Sequence, residues 1–449
     1  MMSPSHSQTS QTPRNNRLYA AVWRWHFYAG LITAPFLLIL AITGAIYLFN
    51  DEINDLLHPD LRFAPTGNQV QAPGALLEAV QHAYPAATLN RIDMPTEPGR
   101  TAQIYISPAQ GPDRRVFVDP GNAAVLGSYV YTSTLVGFSD VAHGSLLLGN
   151  TGDAIVELVA CWAFVLVITG LYLWWPRKRT DQRHRFSPNL QQRGRKLWRE
   201  LHRLTGLYSA VLILFLIITG LPWANLWGGQ FLTPVSNALG MGYPTFLRHH
   251  GSDDSKTLVD THGEAPWTLN AAPVPHGHHG ASNISVNQVH QILVEQGVAL
   301  GYRLSLPQEP GDIYSAYTYP AQPEGQQTFH IDAHNGTLIG KAGFDDYGAI
   351  AKIVEWGVAL HMGNYFGRAN QLLMLFPCLA IIILVVSGLK LWWKRRPQGS
   401  LGAPKKLAAG KKRNLAMITA ILMLLFPLAG ISFIIVLTVD MSWQAIRSQ

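Results

Sequence analysis

Four histidines stand beside long apolar runs at matched spacing: His26, His143, His202 and His361. His26-Phe-Tyr-Ala-Gly30-Leu opens one run and His202-Arg-Leu-Thr-Gly206-Leu opens another. Eighteen residues after each of these histidines, an Ile-Thr-Gly triplet ends at Gly44 and Gly220. His143 precedes Ile168-Thr169-Gly170-Leu-Tyr-Leu-Trp174-Trp175, and His361 precedes Val386-Ser387-Gly388-Leu-Lys-Leu-Trp392-Trp393, with a shift of 218 residues at both ends. A neutral imidazole nitrogen binds iron directly while the second nitrogen is oriented by a hydrogen bond, so a repeated histidine at an apolar boundary suits an axial haem ligand.

Eighteen residues make five whole helical turns, about 27 Å, which sets each histidine and its distant glycine on one face. The spacing therefore predicts two ligand pairs at two depths. His26 and His202 clasp one haem near one membrane surface, and His143 and His361 clasp another near the opposite surface. Gly44 and Gly220 lie level with the second pair, where a bare backbone would let a flat macrocycle approach. Arg24, Arg199 and Arg203, beside the first pair, are placed to meet haem propionates. Ionisable groups in membrane segments are costly and usually functional, which favours ligation over incidental placement.

The elements that must carry these residues are apolar helices. Five stretches read as membrane spans, roughly 28–49, 154–175, 206–227, 371–393 and 415–439, each long enough to cross about 30 Å of hydrocarbon. Lys and Arg gather before the first span, after Trp175 and after Trp393, which marks those sides as cytoplasmic. Asp51, Glu52 and Asp55 follow the first span, so the two large loops and the C-terminus are expected across the membrane. The polar N-terminus and first run read as an uncleaved anchor, because the run is long for a signal peptide and lacks a clear small-residue cleavage site.

The net charge of +7 is accounted for by this topological signal, and the external loops carry no basic, aromatic-interleaved face for nucleic acid. The two cysteines, Cys161 and Cys378, both fall inside spans, and no Cys-x-x-Cys-His is present. Covalent haem attachment and an external disulfide framework are thereby excluded, leaving two noncovalent haems of the b type.

The loops are duplicated too. Val116-Phe-Val-Asp119-Pro-Gly-Asn-Ala-Ala-Val-Leu-Gly127 matches Phe329-His-Ile-Asp332-Ala-His-Asn-Gly-Thr-Leu-Ile-Gly340, two strands around a Gly/Asn turn. Amphipathic helices near 75–83 and 286–297 precede strand-like runs at 103–107 and 314–319. The expected fold is thus an internally duplicated α-helical membrane bundle of about five transmembrane helices with two external α+β domains. Its segments are a first helix (18–50), an external domain (51–140), a second helix (141–176), a basic loop (177–198), a third helix (199–227), a second external domain (228–355), a fourth helix (356–393), a basic loop (394–413) and a fifth helix (414–439).

These motifs resemble the PepSY-associated transmembrane helix family, which includes inner-membrane siderophore reductases. The likeness rests on His-x-x-x-Gly-Leu with Ile-Thr-Gly, the Leu-x-Leu-Trp-Trp-basic ending and the paired Asp-x-x-x-Gly segments, and it covers about residues 18 to 396. The resemblance implies a dihaem protein of the bacterial inner membrane whose periplasmic PepSY-like domains flank the place where a ferric siderophore is reduced to release Fe(II). Some relatives carry a fused flavin or nicotinamide domain. The cytoplasmic loops here are short and lack a Gly-x-Gly-x-x-Gly phosphate loop, so electrons are expected from a cytoplasmic reductase or a membrane quinol. Ferric siderophore, another ferric chelate, flavin and sulfur oxyanion all remain open as acceptors.

Other readings have their own signals. PepSY-like domains also resemble propeptide modules, which suggests a membrane-anchored peptidase regulator without redox activity, and internal duplication suggests a transporter. The regulator leaves the four-histidine symmetry unexplained, and the transporter lacks broken apolar spans with midplane charges. His249, His250, His262, His276, His278 and His279 lie in a Gly/Pro/Asn-rich loop without fixed ligand spacing. His330 and His334 read as surface residues of a strand and its turn, while Asn364, Tyr365 and Arg368 are placed to contact an outer haem or substrate.

Overall fold

The computed structural model describes residues 14–67, 70–175, 186–187, 192–244, 284–399, 402 and 412–447. The six loop histidines from His249 to His279 and much of the two basic loops lie outside the described residues. In chain order the helices are α1 (Arg14–Tyr47), α2 (Asn50–Leu57), α3 (Pro59–Arg62), α4 (Pro73–Ala83), α5 (Leu135–Ser145), α6 (Gly149–Trp174), α7 (Arg195–Gly220), α8 (Thr233–Ala238), α9 (Val286–Glu295), α10 (Ala349–His361), α11 (Arg368–Trp393), α12 (Lys412–Leu425) and α13 (Pro427–Arg447).

Among the described residues, four segments are long and apolar enough to cross a membrane: Leu18–Tyr47, Gly149–Trp174, Arg195–Trp223 and Arg368–Trp393. Their outward residues are large and apolar, among them Ile32, Ile39, Ile168, Val211, Leu372 and Leu379, as lipid contact requires. The protein is therefore a helical membrane protein. The fifth apolar run is divided rather than continuous, because α12 ends at Leu425 and α13 begins at Pro427. Proline lacks an N–H and pushes the residue before it out of the helical region, which accounts for the break at Phe426. A Cβ on Gly430 would lie 2.8 Å from the Met423 Cα, so the chain bends sharply there and only glycine fits.

The chain forms two compact units. The described residues of 1–42, 155–218 and 376–449 make a helical unit, in which Trp25 meets Phe433 at 4.2 Å between ring centres and Trp162 Nε1 donates to Ser432 Oγ at 3.0 Å. Those contacts dock α13 onto α1 and α6.

The second unit, from 43–154 and 219–375, is built on an antiparallel sheet of eight strands in the order β4-β3-β2-β1-β5-β6-β7-β8. The strands are β1 (Thr88–Asp93), β2 (Ala102–Ser107), β3 (Arg114–Val118), β4 (Val125–Tyr129), β5 (Tyr302–Ser305), β6 (Ile313–Thr318), β7 (Gln327–Asp332) and β8 (Leu338–Gly343). The two α+β segments read from the sequence therefore share one sheet. Their seam is the β1–β5 pair, with Arg91 opposite Ser305, Ile92 opposite Leu304 and Asp93 opposite Arg303. One face buries a common core that includes Leu76 and Val80 of α4, Val289 and Leu293 of α9, and Ile92, Ile104, Leu304 and Phe329 of the strands.

The duplicated Asp-x-x-x-Gly segments are the hairpin turns. Asp119 accepts from the Thr66 hydroxyl and amide and from the Gly121 amide, and Asp332 accepts from the amides of His334 and Asn335. A short carboxylate that satisfies turn amides explains why Asp recurs there.

The second face of the sheet is also covered, which corrects the reading of His330. His334 is exposed at its turn, but His330 is fully buried with Nδ1 3.2 Å from Ser315 Oγ. Burial pushes the His330 pKa down to about 4. Between about pH 6.5 and about 4 the unfolded chain takes up a proton that the folded chain refuses, so stability falls with falling pH by at most about 1.4 kcal/mol per unit. His330→Gln should flatten the drop in thermal unfolding midpoint between pH 7 and pH 5 relative to the parent chain.

Candidate functional site

His26 sits on α1 and His202 on α7, within the helical unit, and the structure brings them together. Their ring centres are 6.4 Å apart and their planes nearly perpendicular at 87°. With metal–imidazole bonds of about 2.0–2.1 Å and about 1.1 Å from ring nitrogen to ring centre, two imidazoles on opposite sides of one metal would have centres about 6.3 Å apart. The observed separation matches that spacing.

The hydrogen bonds fix which nitrogen is available. His26 Nδ1 lies 2.9 Å from Thr169 Oγ1, whose own proton goes to the Val165 carbonyl at 2.7 Å. The hydroxyl must therefore accept from Nδ1–H. His202 Nδ1 lies 3.1 Å from the Leu384 carbonyl, which can only accept, and 3.0 Å from Ser387 Oγ. Both rings thus carry their proton on Nδ1 and leave the Nε2 lone pair for a metal.

The second unit repeats the contact between Nδ1 and a helix hydroxyl. His143 Nδ1 is 3.1 Å from Thr43 Oγ1, and His361 Nδ1 is 2.9 Å from Thr219 Oγ1. In all four cases the hydroxyl comes from an Ile-Thr-Gly or Val-Ser-Gly triplet on the companion helix, and the next residue is the glycine. A Cβ on Gly44 would lie 2.9 Å from His143 Cε1, on Gly170 3.3 Å from His26 Cε1, on Gly220 3.4 Å from His361 Cε1 and on Gly388 3.5 Å from His202 Cε1. Each triplet is thus a seat: its hydroxyl orients Nδ1 and its glycine admits the ring edge. The flat group at the bare surface of Gly44 and Gly220, a macrocycle by the sequence expectation, is an imidazole. Thr43, Thr169, Thr219 and Ser387 were missed as functional residues, although the recurring triplet was the signal for them.

The cationic candidates are dispersed. Arg24 lies over the Tyr28 ring at 5.4 Å, Arg203 pairs with Glu200 at 2.6 Å and Arg199 is exposed. Near His361, Tyr365 Oη donates to Glu324 at 2.8 Å and Arg368 pairs with Glu52. The backbone amide of Asn364 closes the turn after α10. Among the described residues no group of three or more His, Cys, Asp or Glu could hold a metal alone. Haem does not need one, since the macrocycle supplies four nitrogens and the protein two axial ligands. The donor set at His26 and His202 fits that group.

The profile of the PepSY-associated TM region family matches residues 23–395, a segment that contains all four histidines and their seats. The chain belongs to this family. No curated protein resembles the chain closely enough to count as a match. The PepSY-associated TM region thus includes four spanning helices and the eight-stranded sheet.

The seats order their substitutions. Gly44→Ala should displace His143, whereas Gly388→Ala, with ordinary van der Waals room, should leave His202 in place. For a haem held by these rings, Gly44→Ala would lower its content and Gly388→Ala would not, and Thr169→Val would weaken its binding about 10–100-fold, with Thr169→Ser restoring it. Haem titration into haem-depleted protein, followed by absorbance, checks both orders.

Proposed function

We propose that the protein is a b-type dihaem electron-transfer protein of the bacterial inner membrane that reduces an acceptor on the periplasmic side, foremost a ferric siderophore, releasing Fe(II). The observation that carries this reading is the seat built four times, with Nε2 left free in the pair whose rings stand 6.4 Å apart. Two identical donor rings around one metal position are what a six-coordinate haem takes from a protein.

Haem held at the two histidine pairs supplies reversible one-electron transfer and so joins a donor on one side of the membrane to an acceptor on the other. The residues of the chain hold and tune that group. His26 and His202 ligate on the side of the basic loops, with Arg24, Arg199 and Arg203 near enough in sequence to meet propionates. His143 and His361 ligate on the side of the large domains. Thr169, Ser387, Thr43 and Thr219 fix ring orientation and, through the Nδ1 hydrogen bond, ligand basicity.

The distribution of Lys and Arg supports a cytoplasmic N-terminus and periplasmic large loops. A cytoplasmic reductase or a membrane quinol is the source of the electron that converts Fe(III) to Fe(II). Fe(II) binds a siderophore far less tightly than Fe(III), so release follows reduction.

Oxidised and dithionite-reduced spectra of detergent-purified protein, with haem quantified, test the reading. The expected result is a b-type spectrum with about two haems per chain. His26→Ala and His143→Ala should each remove about half of the haem, and reduction of a ferric siderophore by the reduced protein should fail in the His143 variant. A colourless preparation that does not change with haem supplied during expression would sink the proposal and favour the membrane-anchored regulator.

A further inference from the structure

Helix α13 lies beyond the family segment, which ends at residue 395, and its contacts reach both helices that build the His26 seat. On α1, the Phe433 ring, itself 1% exposed, meets Trp25 at 4.2 Å between centres. On α6, Ser432 Oγ accepts from Trp162 Nε1 at 3.0 Å while its own proton goes to the Ala429 carbonyl at 2.8 Å. Phe426, just before α13, meets Phe164 of α6 at 5.0 Å.

These anchors sit close to the seat in the chain. Trp25 is the residue before His26, and Trp162 lies seven residues before Thr169, two turns away on the same face of α6. The seat hangs on one hydrogen bond, 2.9 Å between His26 Nδ1 and Thr169 Oγ1, and a small increase in helix separation takes such a bond out of range. The duplication shows the anchors to be particular to one half. The positions equivalent to Trp25, Trp162 and Phe164 are Leu201, Ala380 and Ile382, so all three aromatic anchors are replaced by aliphatic side chains beside the His202 seat. Leu201 is 39% exposed, where Trp25 is covered by a buried phenyl ring. The two imidazoles that face each other at 6.4 Å are therefore held by unequal surroundings.

We propose that α13 is a brace on the His26 seat, with Phe433 and Ser432 as positioning residues that hold α1 against α6 and so keep the Nδ1–H hydrogen bond to Thr169. The effect on haem rests on the electron-transfer reading; the brace itself is a property of the helices and does not. Donation from Nδ1 raises the basicity of Nε2, and a more basic axial ligand favours Fe(III) over Fe(II). Loosening the brace therefore weakens ferric binding more than ferrous binding and raises the potential of that one haem. The His143 seat rests on Thr43, eighteen residues further along α1 than Trp25, and is not held by these contacts.

Potentiometric titration of detergent-purified, haem-loaded full-length protein, with electron paramagnetic resonance of the ferric state, is the test, and the haem concerned is the one lost in His26→Ala. Phe433→Ala should weaken haem binding at that site about 10-fold. Its potential should rise, by about 59 mV where that loss falls wholly on the ferric form, and the other haem should keep its potential and signal. Phe433→Leu, which keeps most of the bulk, should lie near the parent. Ser432→Ala should shift the same haem in the same direction and serves if Phe433→Ala does not fold. Unchanged potentials and signals in Phe433→Ala and Ser432→Ala would overturn the brace, and equal shifts of both haems would overturn it too, since they report a general loosening. A parent protein that takes up no haem removes the electron-transfer reading instead. The brace is then read from nitrogen-15 histidine spectra of the haem-free protein: Phe433→Ala should shift the Nδ1–H resonance that Thr169→Val abolishes, and an unmoved resonance overturns it.

Discussion

The hydrogen bond from imidazole Nδ1 to a helix hydroxyl is the constraint on which the histidine sites depend. A histidine on an apolar helix can rotate, change tautomer or leave its partner facing lipid, and none of those states presents a defined lone pair. The triplets remove these freedoms together. Thr169 has its own proton committed to the helix backbone, so it can only accept from His26, and the adjacent glycine lets the imidazole edge lie against the helix. Tautomer, orientation and depth are thereby set by two successive residues.

The duplication assigns different tasks to contacts within a half and contacts between halves. Each seat joins two helices of the same half: α1 with α6 for His26, α1 with α5 for His143, α7 with α11 for His202 and α7 with α10 for His361. The His26–His202 pair and the β1–β5 seam, by contrast, each join one half to the other. Local contacts thus orient the imidazole rings, and a longer-range contact brings His26 and His202 together.

Much of this was legible in the chain because repetition converts weak signals into strong ones. The four histidines, the four well-formed spans, helices α4 and α9 and the Asp119 and Asp332 turns all follow from spacing and periodicity. Three features did not. The union of the sheet depends on the edges of β1 and β5, whose short alternating sequences do not name a partner. The buried position of His330 depends on what covers the second face, since period-two alternation reports sidedness and not burial. The break at Phe426 was signalled by Pro427, but an apolar run of spanning length outweighed a single residue. The seats lay in plain view within the triplets; their hydroxyls read as ordinary helix residues because Thr and Ser so often bond their own backbone.

The seam between β1 and β5 carries an implication for how such a chain could arise and be taken apart. A single half would hold four strands and end in an unpaired backbone edge, an invitation to recruit a second sheet. With a near-symmetric register centred on Ile92 and Leu304, the most suitable recruit is another copy of the same half. The protein thus resembles an ancestral two-subunit assembly whose subunits have been joined by one polypeptide, which lets each side of the former interface diverge. Asp93 on one side and Ser305 on the other record such a divergence, a difference that two identical subunits could not have held.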